Sequence, residues 1–432
     1  MIDNKPHSPA SLTVQPSGPI SGSVRPPGSK SITNRAFVCA ALAEGSSILR
    51  GVLDSEDTRV MIDSLMRLGF NINTDFSSNR CEVVGGGGQV PNASANLFVA
   101  NSGTTVRFLT ALATLGVGSY RLDGVPRMRE RPIADLLEAL NALGATTASE
   151  QGTGCPPVTV QAGGLPGGTT TVRGDISSQF LSALLMVCPC AQSKAVVRVD
   201  GSLVSKPYVE MTLDVMRHFG ATITHNDLFE FRFETRSPYQ AADYEIEPDA
   251  SAASYFWAAA AVTQGKVLVE GLSTTAIQGD VQFCECLARM GCLVEELSQG
   301  IQVSGRYLHG IDVDMSDISD TVLTLAAVAL FADSPTTIRG VGHIRHKETD
   351  RIGDLARELR KLGALVDELP DGLRITPAEK QIATIETYED HRMAMSFAVV
   401  GLGHPGVTIS NPGCTAKTYP RFFEDLDQLV RH

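Results

Sequence analysis

Apolar and polar residues follow one another along the chain in a pattern that repeats about every 72 residues. Five predicted helices end in similar runs, and the glycines that close them are Gly69, Gly144, Gly220, Gly291 and Gly363. Glycine at this position terminates a helix. A second apolar helical run and a short strand precede each of these helices, and the strands end at Gly51, Gly124, Gly201, Gly271 and Gly340. Two registers of the same period predict a repeated α/β unit.

A sixth copy lies at the C-terminal end of the chain. It begins at residues 390–392 and stops in the helix FFEDLDQLV, where the other copies continue into strands. Residues 12–31 align with residues 158–178, which form the strand pair that leads into the third copy. We therefore expect residues 1 to about 28 to complete the last unit. This predicts two lobes, one of residues 29–247 and one of residues 1–28 plus 248–432, joined by two crossings of the chain.

The composition is that of a globular protein. The 432 residues, 43% apolar and 19% charged, are enough for substantial cores. No apolar stretch reaches the roughly 18 residues of a membrane span, and the first residues have neither signal-peptide nor transit-peptide character. We expect a cytoplasmic protein without a membrane partner.

Charge and cysteine usage narrow the partner classes further. A net charge of −12 disfavours nucleic acid, which is bound by basic surfaces. The nine cysteines lack the usual zinc spacing and are odd in number, which predicts reduced, packed thiols.

Polar residues mark the start of each first helix of the six copies. These starts are residues 28–31 with Arg35, 101–104 with Arg107, 177–179, 249–251, 317–320 and 390–392. Capping accounts for about half of the Ser, Asn and Asp residues. It does not call for the basic ones, which are Lys30, Arg35, Arg107 and Arg392. Because helix N-termini attract anions, this pattern predicts an anion site.

Further basic residues form three clusters. They are Arg127, Arg129 and Arg131; Lys206, which follows Ser205 and lies beside Tyr208; and Arg345, Lys347 and Arg351, which flank Glu348. If residues 347–351 are helical, Lys347 and Arg351 share one helical face. Basic clusters at equivalent repeat positions of an acidic protein predict recognition of a multiply charged ligand.

Three other signatures are weak. The Gly-Ser-Lys-Ser run at residues 28–31 lacks the upstream glycine spacing of a nucleotide-binding loop. A Ser-His-Asp arrangement has no support, because His391 follows Asp390 directly and there is no G-x-S-x-G. His343 and His346 have no third ligand at a suitable spacing, so no metal is expected.

Ten segments resemble the 5-enolpyruvylshikimate-3-phosphate synthase family. They are PGSKSITNRA, LDSEDTR, NSGTTVRFL, RMRERPI, ISSQFLSALL, LVSKPY, DASAASY, KETDRI, YEDHRMAM and TAKTYP, and they span residues 27–420. The resemblance implies an α/β (α+β) fold of two lobes, each of three βαβαββ units, with the active site in the cleft between them. It also implies a monomer that needs no cofactor and transfers the enolpyruvyl group of phosphoenolpyruvate to the 5-hydroxyl of shikimate 3-phosphate. Glyphosate would compete for the phosphoenolpyruvate site.

The resemblance assigns roles residue by residue. Shikimate 3-phosphate would be bound by Lys30, Ser31, Arg35, Ser177, Ser178, Gln179, Ser205, Tyr208, Asp320, His343 and Lys347. Phosphoenolpyruvate would be bound by Lys30, Asn101, Gly103, Thr104, Arg131, Gln179, Arg351, His391, Arg392 and Lys417. The acid and base groups of an addition followed by an elimination would be Lys30, Asp320 and Glu348. Which of the three makes each proton transfer stays open.

The sequence departs from the family pattern at three positions. His343 stands where many members have Asn, Phe108 replaces a frequent Pro, and Ser102 replaces an Ala. Two alternatives are weighed against this family. UDP-N-acetylglucosamine enolpyruvyl transferases use a loop cysteine that GVPRMRERPI lacks, and a DNA clamp built from repeats would need a basic inner face.

Overall fold

The computed structural model describes residues 9–234 and 236–431. The chain divides into two compact units. The first unit is Gly28–Glu247, and the second unit combines the described parts of Met1–Pro27 and Pro248–His432.

Helices and strands alternate along both units. The helices are α1 (Lys30–Leu42), α2 (Glu56–Arg67), α3 (Gly103–Ala113), α4 (Ala134–Ala142), α5 (Ser178–Val187), α6 (Lys206–His218), α7 (Ala250–Thr263), α8 (Phe283–Arg289), α9 (Val322–Ala329), α10 (Gly353–Lys361), α11 (His391–Gly403) and α12 (Phe422–Arg431). The strands are β1 (Ser11–Val14), β2 (Ser21–Val24), β3 (Ser46–Arg50), β4 (Asn71–Asp75), β5 (Arg80–Val84), β6 (Ser94–Phe98), β7 (Val117–Asp123), β8 (Thr146–Ser149), β9 (Val158–Gly163), β10 (Gly168–Arg173), β11 (Ala195–Asp200), β12 (Thr224–Asn226), β13 (Glu230–Phe233), β14 (Asp243–Glu245), β15 (Lys266–Glu270), β16 (Leu293–Leu297), β17 (Gly300–Ser304), β18 (Asp312–Asp314), β19 (Thr336–Arg339), β20 (Leu365–Leu369), β21 (Gly372–Thr376), β22 (Ala383–Ile385) and β23 (Val407–Ser410).

Each repeat is built on one small sheet. The sheets of the first unit have the strand orders β14-β3-β5-β4, β6-β7-β9-β8 and β10-β11-β13-β12. Those of the second unit are β16-β17-β15-β2, β18-β19-β21-β20 and the three-stranded β1-β23-β22. In the second repeat, for example, β6 is parallel to β7, and β9 is antiparallel to both β7 and β8. The predicted mixed α/β fold of repeated units is confirmed.

The N-terminal strands divide between two repeats. Strand β1 pairs antiparallel with β23, with Ser11 opposite Ser410, and so completes the sixth sheet as predicted. Strand β2 instead pairs parallel with β15 of the fourth repeat, so the expectation that this whole segment completes the last unit is wrong for β2. The reason is that β14, the strand directly before the fourth repeat, is taken up by β3 of the first repeat. The part of this expectation that concerns residues 1–8 lies outside the described residues.

The predicted helix ends are also confirmed. The five helix-closing glycines have positive φ angles, from 82° at Gly220 to 112° at Gly291. Residues with a side chain rarely adopt this backbone conformation, which is why glycine follows the helix in each of these five repeats.

The first helix of each repeat lies in the core. In the second unit every residue of α7 is buried, and Trp257 donates a hydrogen bond of 3.0 Å to the carbonyl of Ile301. Helices α7, α9 and α11 pack against one another, and α1, α3 and α5 do so in the first unit in the pairs α1–α3 and α3–α5. The second helices are amphipathic, and α10 for instance buries Leu355 and Leu359 on one side. Polar residues at the starts of the core helices are thereby gathered within each unit.

Candidate active site

Serine side chains cap the three core helices of the first unit. Ser29 accepts a hydrogen bond from the amide of Ile32 at 3.4 Å, and Ser102 accepts one from Thr105 at 3.4 Å. Ser177 caps α5 at the amide of Gln179, 3.3 Å away. Because the caps satisfy single amides, the first turns keep further N–H groups and their positive dipole ends.

Arg35 joins α1 to α5 and α6. It is 1% exposed, and its Nε donates to the hydroxyl of Thr212 at 2.7 Å. Its other nitrogens donate to the carbonyl of Ser31 at 2.9 Å and to the carbonyl of Tyr208 and the hydroxyl of Ser182, both at 3.2 Å. Burial lowers the pKa of Arg35 to about 10, which still leaves it charged near neutral pH. Arg35, which is predicted to bind shikimate 3-phosphate, thus also fixes the backbone at Ser31 and Tyr208.

Lys30 is the first residue of α1. Its Nζ lies 3.8 Å from an oxygen of Asp57 in α2, and both side chains are largely buried. The LDSEDTR segment carries Asp57 behind a capping box made by Ser55 and Thr58. Asp57 is not among the site residues predicted from the sequence, although its segment is one of those that resemble the family.

Two guanidinium groups flank the start of α3. Arg131 NH1 donates to the carbonyl and to the side-chain oxygen of Asn101, at 2.9 and 3.2 Å. Arg107 NH1 donates to Gln179 Oε1 at 2.8 Å and to the carbonyl of Gly103 at 3.3 Å. A Cβ atom on Gly103 would lie 2.4 Å from Arg131 NH2. Only glycine therefore permits this close approach of two cations to a helix N-terminus.

Some predicted basic residues point elsewhere. Arg127 and Arg129 form exposed ion pairs with Glu130 and Asp123, so the RMRER cluster contributes only Arg131 to the group around α3. Lys206 is exposed. Its neighbour Ser205 is buried and has a left-handed backbone, with φ of 54°.

In the second unit, three cationic side chains contact Asp320. It lies just before α9, in the 3-10 turn Ser319–Thr321. Lys347 Nζ approaches its Oδ1 at 2.5 Å and Arg351 NH1 at 3.3 Å, while Arg392 NH2 donates to Oδ2 at 2.6 Å. The carboxylate is thus held in place from three directions.

Glu348 is a buried carboxylate that shares Arg351 with Asp320. One of its oxygens is 2.8 Å from Lys417 Nζ and the other is 2.8 Å from Arg351 NH2. Arg351 also binds the buried Asp390 through Nε at 2.7 Å. The side chains alternate in charge, and Arg351 links the three carboxylates. Asp390 was predicted as a helix start and not as a partner of Arg351.

Residues 347–352 do not form a helix, so the condition under which Lys347 and Arg351 would share a helical face is not met. Asp350 accepts hydrogen bonds from the amides of Ile352 and Gly353, both at 3.1 Å, in the turn that precedes α10. The two cations still converge, because the turn directs both to Asp320. Arg345 pairs with Asp350 at 2.8 Å and not with Glu348.

Burial and neighbouring charge shift several groups in this cluster. Burial lowers the pKa of Lys347, with Asp320 opposing the shift. Burial and the nearby Lys347 lower the pKa of His343 to about 3, so its imidazole is neutral at physiological pH. Burial lowers the pKa of Arg351 too, but its carboxylates, Asp390 foremost, outweigh this effect and raise it overall.

Two further residues lie near this network. His391 is 1% exposed, and its Nδ1 is 3.6 Å from Asp390. Asp280, which is not among the predicted site residues, accepts a hydrogen bond from Ser251 at the start of α7. Burial, with a contribution from Asp320, raises the pKa of Asp280 to about 6. No periodic signal marks Asp280, since it sits in a short 3-10 turn rather than at a core-helix start.

The predicted residues divide between the two units. The first unit holds Lys30, Ser31, Arg35, Asn101, Gly103, Thr104, Arg131, Ser177, Ser178, Gln179, Ser205 and Tyr208. The second unit holds Asp320, His343, Lys347, Glu348, Arg351, His391, Arg392 and Lys417. Among residues 9–234 and 236–431, no group of three or more His, Cys, Asp or Glu residues is suited to hold a metal ion. Within the same ranges, no helix has the length and apolar character needed to cross a membrane.

The chain is similar to known proteins over nearly its whole length. The family model for EPSP synthase (3-phosphoshikimate 1-carboxyvinyltransferase) matches residues 14–426. A 3-phosphoshikimate 1-carboxyvinyltransferase of Nostoc punctiforme is 49% identical over 415 residues, covering 95% of this chain and 97% of the relative. The chloroplastic 3-phosphoshikimate 1-carboxyvinyltransferase of Arabidopsis thaliana is 46% identical, covering 98% and 85%.

Solved structures share the fold. An EPSP synthase from Acinetobacter baumannii superposes with a TM-score of 0.81 at 24% identity, covering 97% of this chain and 98% of that chain. The enolpyruvyl transferase NikO from Streptomyces tendae gives a TM-score of 0.77 at 19% identity, covering 97% of each chain. The architecture is therefore that of the enolpyruvyl transferases. Within that class, the family-model match and the sequence identities show that the chain belongs to the EPSP synthase family.

Proposed function

We infer that the protein is a 3-phosphoshikimate 1-carboxyvinyltransferase of the shikimate pathway. It transfers the enolpyruvyl group of phosphoenolpyruvate to the 5-hydroxyl of shikimate 3-phosphate and releases phosphate. The observation that supports this most is the network of Asp320 and Glu348 with the cations around them. A reaction between two anionic substrates that moves protons needs both fixed cations and positioned carboxylates.

We assign the binding of phosphoenolpyruvate to the cations that converge on backbone or carboxylate oxygens. In the first unit these are Arg131 beside Gly103 at the start of α3, with Lys30, Asn101, Thr104 and Gln179 near by. In the second unit they are Arg351, Arg392 and Lys417, with His391. A phosphate and a carboxylate on one small molecule favour such a dense set of donors, since guanidinium groups bind both in a bidentate manner.

We assign the binding of shikimate 3-phosphate to hydroxyls and amides as well as to cations. The first unit offers Ser177, Ser178, Gln179, Ser205 and Tyr208, with Lys30, Ser31 and Arg35. The second unit offers Asp320, His343 and Lys347. A neutral imidazole at His343 can donate one hydrogen bond to a hydroxyl, as the Asn of many relatives would.

The chemistry proceeds as an addition followed by an elimination. The 5-hydroxyl oxygen attacks C2 of phosphoenolpyruvate while Glu348 or Asp320 takes the hydroxyl proton, and Lys30 or Glu348 gives a proton to C3. The product of this step is a tetrahedral ketal that still carries the phosphate. A base then removes a proton from C3, the C2–O bond to phosphate breaks, and the enol ether forms. Cations near the leaving phosphate stabilise its developing charge.

The position of Glu348 suits the role of a base. Lys417 and Arg351 each lie 2.8 Å from it, and opposite charges favour the ionised form of a carboxylate. The proposal also includes a cytoplasmic location, the monomeric state and substrates as the partners, with lobes of residues 29–247 and of residues 1–28 plus 248–432.

Release of inorganic phosphate tests the proposal. Purified protein with both substrates should release phosphate and form the enol ether, which nuclear magnetic resonance detects by its vinyl protons. Omission of shikimate 3-phosphate is the control, and phosphate released from phosphoenolpyruvate alone would indicate a phosphatase. No turnover with both substrates would overturn the proposed function.

A further inference from the structure

Two consecutive residues before α11 have a left-handed backbone. Tyr388 has a φ angle of 52° and Glu389 one of 56°. Residues with side chains rarely adopt this conformation, and pairs of them persist only where the surrounding structure holds them. The conformation of this turn therefore depends on the residues that contact it.

The main partner is Glu358, a fully buried carboxylate on α10. Its Oε1 accepts a hydrogen bond from the hydroxyl of Tyr388 at 2.6 Å, and its Oε2 accepts one from the amide of Glu386 at 3.1 Å. Lys361 Nζ lies 2.7 Å from the same Oε2. A buried carboxylate is unfavourable unless it is paired, and here its two oxygens bind both sides of residue 387.

Arg357 supports Tyr388 from the same helix. Its NH1 donates to the Tyr388 hydroxyl at 3.0 Å, and its guanidinium carbon lies 5.7 Å from the centre of the ring. Burial and the bond to Glu358 raise the pKa of Tyr388 to about 12, so the hydroxyl keeps its proton and remains a donor. Two adjacent side chains of α10, those of Arg357 and Glu358, thus join the turn to this helix.

The turn sets the position of Asp390. The Asp390 amide donates to the carbonyl of Thr387 at 2.8 Å, and its side chain caps α11 at the amide of Arg392, 2.9 Å away. The same carboxylate binds Arg351 Nε at 2.7 Å, and Arg392 extends from the first turn of α11 to Asp320 at 2.6 Å. A displaced turn would therefore move Arg351 and Arg392 together.

We propose that Tyr388 and Glu358 are positioning residues that hold the left-handed turn and thereby place Arg351 and Arg392 for phosphoenolpyruvate. Neither positioning residue needs to touch a substrate. The inference rests on the proposed function, because that function assigns both arginines to phosphoenolpyruvate. A positioning role predicts a change in affinity for phosphoenolpyruvate alone, whereas a purely structural role predicts a change in stability.

The variant Tyr388→Phe tests this, since it keeps the ring and removes only the hydroxyl. We expect the KM for phosphoenolpyruvate to rise about fivefold, as for loss of one ordinary hydrogen bond, and the KM for shikimate 3-phosphate to stay within about twofold. The matched control is Tyr120→Phe in the first unit. It removes a buried hydroxyl that donates to the carbonyl of Asn92 at 2.7 Å, and it should change neither KM.

A second variant and a second measurement complete the test. Glu358→Gln retains an oxygen that can accept from Tyr388, so it should raise the KM for phosphoenolpyruvate less than Tyr388→Phe does. Hydrogen exchange at the amides of Asp390 and Arg392 should be faster in Tyr388→Phe than in the wild type.

Two results would overturn the inference in an active enzyme. One is an unchanged KM for phosphoenolpyruvate in Tyr388→Phe, and the other is an equal rise in both KM values together with a lower melting temperature. A wild type that turns over neither substrate would instead be a failure of the proposed function. In that case unchanged exchange at Asp390 and Arg392 would still refute the holding of the turn, and faster exchange would support it.

Discussion

The first unit directs its buried guanidinium groups at neutral oxygens. Arg35 donates to hydroxyls and carbonyls, and Arg131 donates to the carbonyl and amide oxygens of Asn101. In the second unit, Arg351 and Arg392 instead donate to carboxylates, the partly exposed Asp320 among them. Arg131 and Arg351 both lie just before the second helix of their repeat, α4 and α10 respectively, so the same repeat position carries two kinds of polar chemistry.

This difference has a physical consequence for each unit. A cation whose partners are neutral retains its full charge for an incoming anion, and the helix dipole adds to it. A cation that is already paired adds less net charge, but it fixes the carboxylate beside it. We therefore expect the first unit to supply mainly binding energy and the second unit mainly the groups that move protons, with Lys30 as the exception that joins both roles.

Lys30→Met tests that exception and should have the largest effect. Removing the cation at the head of α1 takes away both a substrate contact and a candidate acid, so turnover should fall by about 10³-fold while circular dichroism stays unchanged. Lys194→Met is the control, because Lys194 forms an exposed pair with Glu234. Turnover of Lys30→Met above a few per cent of wild type would remove Lys30 from the mechanism.

Glu348→Gln tests the chemistry assigned to the second unit. The shape is kept and the base is lost, so kcat should fall by about 10²-fold while calorimetry shows shikimate 3-phosphate binding within about threefold of wild type. Glu230→Gln in the first unit is the matched control, since Glu230 also lies between two arginines, Arg198 and Arg232. If Glu348→Gln loses shikimate 3-phosphate binding instead, Glu348 is a structural ion-pair partner.

Gly103→Ala tests the crowding of cations in the first unit. A Cβ atom would meet Arg131 NH2 at 2.4 Å, so the guanidinium must move. We expect the KM for phosphoenolpyruvate to rise about fivefold and the glyphosate inhibition constant about 50-fold, because glyphosate is the longer ligand. Gly163→Ala is the control, since its Cβ would meet open space. An inhibition constant that rises no more than the KM would show that discrimination lies elsewhere.

The sequence could predict the parts of the site that follow the repeat. Periodicity places Ser29, Ser102 and Asp390 at helix starts, and the structure confirms these as caps. It could not show that β2 pairs with the fourth repeat, because strand partners depend on contacts that are remote in sequence. The alignment identifies the strand and not its neighbour.

Side-chain partners were predicted less well for the same reason. Arg345 and Arg351 are both close to Glu348 in sequence, yet of the two Arg351 binds it, whereas Arg345 pairs with Asp350. Lys417 binds Glu348 although 69 residues separate them. Such pairings are set by the tertiary fold, and a family resemblance supplies the residues without their partners.

The smallest expected effect concerns His343, which is neutral within the cationic second-unit cluster. Its pKa falls from an ordinary value near 6.5 to about 3 on folding, through burial and the nearby Lys347. Between these values the unfolded chain binds a proton that the folded protein does not, so His343 makes stability fall as the pH drops from about 6.5 to about 3. His343→Asn should therefore flatten the dependence of unfolding free energy on pH in this window by about 1 kcal/mol per pH unit. Denaturant unfolding at pH 4 to 7 measures this, and curves of equal slope for both proteins would show that His343 titrates in the folded state much as it does in the unfolded chain.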